Sequence, residues 1–489
     1  MTRKDFMVND DQGTVGMRST KLPLRIRSQH LAMLALVVVS LLAGVLLILV
    51  PEKYQIILIL VVPAALVAFL ILRNPFVGIY LYFLYNFLRP YDFIPALIPL
   101  RLTLVIELMT LISWANRGMI TQFRLKWNNF NWLLMGFVGV IGITIVTAMN
   151  NRAAYNVFES IAVVFVMYVL ATNIVDTNAR LRKIIWVLLW VHFYFAIRGV
   201  YNYAVLHTIV GGMQTSGQVG SGFLGDENDF ALTLNVMIPV AFFMAEYSRT
   251  RIKKALCLLF LVSYVFGVVV SFSRGGWVGM VAVLIFCLFN SRRRLVNFGY
   301  AAILSLLLFA VVPSSYWQEM GTITDVNEAT AISRLRYWQA SVSMFADHPL
   351  VGVGAGNGGF RMPEYIVDLD NPGREWGRAC HGTLPQVLSE LGMAGTVLYL
   401  MMLFWIGSSL LAIKRSRVDP EGDGFTWLIT NSVIGALIGY FTCATFLSTL
   451  YYPHLWTLYI IAVIVGYCAY RKVTPGTQTK AVVITGETR

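Results

Sequence analysis

Charge is what this sequence has least of: Asp, Glu, Lys and Arg make up 13% of its 489 residues, and only 25 residues are acidic. With 57% hydrophobic residues and a mean hydropathy of +0.67, so sparse a charge excludes an ordinary soluble domain and a disordered chain alike. Cysteine is scarce too. Of the five, Cys257, Cys287 and Cys468 fall within apolar runs, which excludes a disulfide scaffold; Cys380 and Cys443 could approach one another, but two unpaired thiols are the expectation. A helical-repeat period of roughly 20 to 50 residues is absent, as are inverted halves of the transporter kind.

What is there is a succession of apolar runs, many close to the roughly 20 residues a helix needs to cross about 30 Å of hydrocarbon. Spans are expected near 31–50, 55–72, 75–88, 102–115, 131–149, 155–173, 183–204, 229–247, 254–272, 275–290, 297–312, 386–412, 425–447 and 454–470. The third and fourth are short enough to be tilted pieces or a re-entrant pair. The expected fold class is an all-α polytopic membrane protein of about 12–14 transmembrane helices. Its parts are a basic tail (1–30), a first membrane region (31–312), a large loop bearing short helices (313–384), the last spans (385–470) and a tail (471–489).

The net charge of +13 is distributed by side. With the amino terminus cytoplasmic, 27 of the 38 Lys and Arg residues fall on the cytoplasmic side, ten on the other, and Arg198 within a span. This bias puts both termini in the cytoplasm and the 313–384 loop outside. The excess charge is thus mainly a topology signal with some attraction to anionic membrane lipid, and no nucleic-acid partner is expected.

An arginine on the outer side needs a reason, such as an anionic ligand. Arg274, in Ser271-Phe272-Ser273-Arg274-Gly275-Gly276, is the sharpest case. The 313–384 loop is far longer than a connection requires, so chemistry is expected there. Within it, Ile332–Ala340 opens a helix with Leu335, Trp338, Val342 and Phe345 at helical spacing and Pro349 as its stop. Arg334 and Arg336 lie about 200° apart on that helix, so one face takes at most one of them. The glycine-rich run His348–Phe360 lacks the strand before it and helix after it that a nucleotide loop requires, and reads as a tight turn. In Cys380-His381-Gly382-Thr383-Leu384-Pro385, Thr383 is a plausible cap for a helix whose stripe is Leu384, Val387, Leu388 and Leu391. His381 then lies just before a helix amino terminus, a proton acceptor beside a place that favours phosphate.

In this order, Ser273-Arg274-Gly275, Arg334 with Trp338, Pro349 with Gly352 and Gly354, and His381 with Glu390-Leu391-Gly392, the sequence resembles the O-antigen ligase and Wzy-type polymerase superfamily of bacterial inner-membrane glycosyltransferases. Gly225-Asp226-Glu227-Asn228-Asp229-Phe230-Ala231 is similar to a segment of the ligases that accompany exosortase systems. The resemblance covers roughly residues 220–415. It implies a GT-C-like enzyme that moves a glycan from an undecaprenyl-diphosphate carrier to a hydroxyl of a glycan, lipid or protein acceptor, outside the inner (plasma) membrane. Inversion at the anomeric carbon is implied, with no metal and no other cofactor. It implies further that Arg274 and Arg334, with Arg336 nearby, bind the diphosphate and that His381 is the general base; Asp226, Asn228 and Glu390 are candidates for acceptor or sugar contacts. Gly382 departs from the pattern, since Asn often follows the histidine.

Two alternatives are weighed. Asp368-Leu369-Asp370 could hold a cation, although its Asn-Pro-Gly surroundings read as a solvated turn. A lipid-linked glycan flippase or transporter would bury ionisable residues along a mid-membrane path, for which Arg198, Glu107 and Glu159 are the only candidates.

Overall fold

The structure is a computed structural model describing residues 52–121, 125–205, 225–312, 314–322, 329–366, 375–417, 419, 422 and 424–470. The expected first span, both tails and the Asp368/Asp370 pair lie outside these described residues. The chain divides into two units, Met1–Phe69 and Leu70–Arg489. The described part of the first is helical and belongs to α1 (Glu52–Arg73).

The second unit is all-α among its described residues. In chain order come α2 (Pro75–Leu88), a single turn and a 3-10 segment (Pro95–Leu100), then α3 (Leu102–Thr121), α4 (Asn129–Thr147), α5 (Asn151–Ile174) and α6 (Asn178–Ala204). Next are α7 (Glu227–Tyr247), α8 (Arg251–Val270), α9 (Arg274–Asn290), α10 (Arg294–Val311), α11 (Ser314–Gly321), α12 (Ala329–Asp347) and α13 (Gly358–Tyr365). The last three are α14 (Thr383–Ser416), α15 (Phe425–Ala444) and α16 (Pro453–Tyr470). Among the described residues nine helical stretches are long and apolar enough to span a membrane, and shorter apolar helices include α9. The chain is a multi-pass membrane protein.

Polar caps start these helices where the sequence changes character. Asn128 and Asn131 form a reciprocal capping box at α4, Asn150 caps α5 and Thr177 caps α6, each supplying an acceptor to a backbone N–H that the first turn leaves orphaned. Burial sorts the helices by position. In α7 and α16, 83% of the apolar window is buried, against 17% for Pro95–Gly118, so α7 and α16 form the interior and the others present apolar side chains outward. Phe230, Leu234, Ile238 and Ala241 of α7 are fully buried, packed against α8 and α15.

Several expectations are corrected here. The fourth span is not short: the helix runs on to Thr121, and with the 3-10 segment before it forms a candidate span of 24 residues. Leu335 and Val342 are more than half exposed, while Ala340, Ser341 and Met344 face inward. Thr383 does not cap α14. Gly382 holds that position, and the Thr383 hydroxyl donates to the Leu447 carbonyl (2.7 Å) and meets the Thr449 hydroxyl (2.8 Å) instead. None of the five cysteines forms a disulfide and all are buried, Cys380 beside Ser389 and Cys443 against Asn235.

Candidate functional site

The acidic segment before α7 and the arginine before α9 are joined by one serine. Asp226 caps α7, its carboxylate accepting from the N–H groups of Asn228 (2.8 Å) and Asp229 (3.3 Å). Ser273 caps α9 by accepting from Gly276 N–H (3.0 Å), and its hydroxyl donates to the Asn228 side-chain oxygen (2.6 Å). Asn228 is thus occupied in tying two helix starts together. Arg274 is the first residue of α9, where a cation opposes the positive end of the helix dipole and the two together make a strong field for an anion. The guanidinium is held by the Thr322 hydroxyl (2.9 Å) and by Glu319 at 3.5 Å, both on the stretch that follows α10.

Arg334 reaches the same end of the bundle from α12. Its guanidinium lies over the Phe446 ring, 5.5 Å from the centroid, just beyond the end of α15. A Cβ built on Gly275 would meet that same ring at 3.3 Å, so Phe446 stands between the backbone next to Arg274 and the side chain of Arg334. Arg336 is exposed on another face of α12, as the spacing requires.

His381 occupies a left-handed conformation (φ 50°), which few residues other than glycine adopt and which turns the chain sharply into α14. Two residues of α12 hold it. The Trp338 indole N–H donates to the His381 carbonyl (3.1 Å), and the Tyr337 ring lies 5.6 Å from the imidazole at 36°. Gly382 has an ordinary extended φ but no room: a Cβ there would fall 2.9 Å from the Trp338 indole nitrogen and 3.1 Å from the Pro385 ring. Burial, then the charge of Arg334, push the imidazole below its ordinary range; Asp226 pulls it up, and Arg378 pushes it down again. His381 therefore lies within electrostatic reach of both Arg334 and Asp226.

Glu390 is 5% exposed, and its carboxylate accepts from Gly356 N–H (2.8 Å) and the Tyr451 hydroxyl (2.7 Å). With Val353 N–H on the Ser389 carbonyl (2.8 Å), Gly354 N–H on the Glu390 carbonyl (3.0 Å) and Met393 N–H on the Pro349 carbonyl (2.8 Å), it fastens the glycine-rich run onto a break in α14 at Gly392. Gly352 has a positive φ, and its absent Cβ would lie 2.4 Å from the Glu390 backbone, so the glycines permit contact between two backbones.

Asp226, Asn228, Arg274, Arg334 and His381 are thus brought to one end of the bundle, while the Glu390 carboxylate is taken up by Gly356 and Tyr451 and Arg336 lies exposed on another face of α12. Phe446, Tyr337, Arg378 and the Glu319–Thr322 hold on Arg274 carry no local signal in the sequence. Among the described residues no three His, Cys, Asp or Glu side chains stand close enough to hold a metal ion. Compared with known families, residues 256–400, under a third of the chain, match the family model described as O-antigen ligase; the match takes in Arg274, Arg334, His381 and Glu390 and leaves Asp226 and Asn228 outside. No curated protein matches the chain.

Proposed function

With residues 256–400 belonging to the O-antigen ligase family, we propose that the chain is a membrane glycosyltransferase that moves a glycan from an undecaprenyl-diphosphate carrier to an acceptor hydroxyl, as a polysaccharide ligase or polymerase. The observation that carries this reading is the half-buried His381, its pKa pushed down by burial and by Arg334, at the same end of the bundle as two arginines that flank one aromatic ring. In the reaction the acceptor oxygen attacks the anomeric carbon, the bond from that carbon to the carrier phosphate breaks, and His381 takes the acceptor's proton. A single in-line displacement inverts the anomeric centre. The negative charge left on the diphosphate is met by Arg274, reinforced by the α9 amino terminus, and by Arg334. Guanidinium groups fill the charge-neutralising role that a divalent cation has in other transferases, so transfer proceeds without one. The site faces outward from the bacterial inner membrane, with both termini cytoplasmic.

The test is transfer by the purified protein in nanodiscs, given undecaprenyl-diphosphate-linked glycan and acceptor. Glycan is expected on the acceptor with release of the carrier diphosphate, and chelator should leave the rate unchanged. Movement of intact lipid-linked glycan between leaflets without transfer would replace this reading by the transporter one.

A further inference from the structure

A second cleft opens at the same end of the bundle, away from the imidazole. It has a volume of about 370 Å³ and is lined by Met149, Asn150, Asn151, Arg152, Phe360 and Trp376. We propose that it is a sugar-binding subsite in which Trp376 offers a stacking face and Asn151 and Arg152 bond to ring hydroxyls. The proposal rests on the reading that this chain transfers glycans.

A pyranose ring is amphipathic: its C–H faces are apolar and its rim of hydroxyls is polar. The complementary surface is an aromatic face beside amide and guanidinium groups, in a concave site with few polar groups. The cleft has this composition. Trp376 is 55% exposed, and its ring meets Phe360 edge-on (5.5 Å, 72°), so indole surface is available to a ligand beside a second aromatic ring.

Both walls are anchored. On the Trp376 side, Gly377 N–H donates to the Gly359 carbonyl (2.9 Å) and Arg378 N–H to the Glu375 carbonyl (3.3 Å). On the other, the fully buried Asn357 accepts from Asn150 N–H (2.7 Å) and donates to the Asn150 carbonyl (3.3 Å). A ligand entering therefore meets preformed walls, which keeps the ordering cost of binding low.

Arg152 gives the polar side its meaning. It lies in the first turn of α5, where the helix dipole disfavours a cation, it is exposed, and it makes no ion pair among the described residues. Arg89, Arg101 and Arg361, by contrast, are each paired with a carboxylate. Trp376 is five residues from His381, and a chain extends by at most about 3.6 Å per residue, so their Cα atoms lie within about 18 Å. A short oligosaccharide bridges that distance, with one residue in the cleft and another at the imidazole.

The experiment uses the full chain in nanodiscs and, as probe, oligosaccharide released by mild acid from the source cells' own surface polysaccharide, with affinity measured by calorimetry. Wild type and His381→Ala should bind alike. Trp376→Ala should weaken binding about tenfold, with Trp376→Tyr recovering most of it, and Arg152→Ala should weaken it severalfold. In transfer assays Trp376→Ala should raise one KM and leave kcat within about threefold: acceptor KM if the cleft holds acceptor sugar, donor KM if it holds the carrier-linked glycan. No binding by wild type, or unchanged affinity and both KM values unchanged in Trp376→Ala, overturns the proposal, and in the second case the ring is an anchor at the membrane surface. Persistence of transfer in His381→Ala would defeat the catalytic reading while leaving the binding result to judge the cleft by itself.

Discussion

At the scale of single residues, His381 works through what surrounds it. A general base must be neutral, and the lowering of its pKa by burial and by Arg334 extends the active range toward acid. Because Arg378 also lowers it, Arg378→Gln should let the pKa rise and move the acid limb of the kcat/KM profile to higher pH. Because Asp226 raises it, Asp226→Asn, which keeps the α7 cap, should move that limb to lower pH. Coincident profiles for the three proteins would mean that the limb belongs to another group. Gly382, where the family often has Asn, is explained by space: the carbonyl of His381 is already held by Trp338. Gly382→Ala should therefore cost about 1–3 kcal/mol in stability as the indole is displaced, read as a lower melting temperature in detergent. Arg274→Ala should weaken carrier-diphosphate binding by roughly 10- to 150-fold, one charge-assisted contact, and Arg274→Lys should recover only part, lacking the planar fork. A lysine variant equal to wild type would mark Arg274 as a headgroup anchor.

Among the helices, α14 shows what local sequence reveals and what it hides. Its apolar length is legible from hydropathy; the break at Gly392, inside the span expected at 386–412, is not. Gly392 has φ 58° and ψ −156°, and a Cβ there would lie 2.6 Å from Gly352 N and 2.7 Å from the Leu350 carbonyl carbon. Gly392→Ala should thus lose about 2–5 kcal/mol, combining a conformation nearly reserved for glycine with a backbone collision. Gly299→Ala, inside α10 with nothing within 4 Å, is the control and should melt no lower than wild type. The partners of Glu390, Gly356 and Tyr451, are 34 and 61 residues away and so carry no signal in the local sequence. The stripe of α12 misleads for a different reason. Leu335 and Val342 mark one face at helical spacing, but spacing alone does not say whether that face packs on this chain, and both are exposed. The polar Ser341, fully buried with its hydroxyl on the Tyr337 carbonyl, marks the inward face better.

For the whole molecule, composition alone made the all-α membrane class legible, because no soluble fold tolerates this hydropathy. The meeting of segments some 45 to 220 residues apart was not: Ser273 with Asn228, and Tyr452 with Asp229. Of the charges a transporter would use, Glu159 is paired with Arg101, Arg198 lies against Tyr194 and Phe93, and Glu107 is buried. What is concentrated instead is the set of cationic, acidic and imidazole groups at one end of the bundle, and the account stands on the imidazole being the base. The measurement is single-turnover transfer by His381→Ala in nanodiscs, with carrier-diphosphate binding followed on the same sample. Loss of a positioned general base predicts a rate lower by about 10²- to 10⁴-fold with donor affinity close to wild type; a rate within a fewfold of wild type would contradict the account.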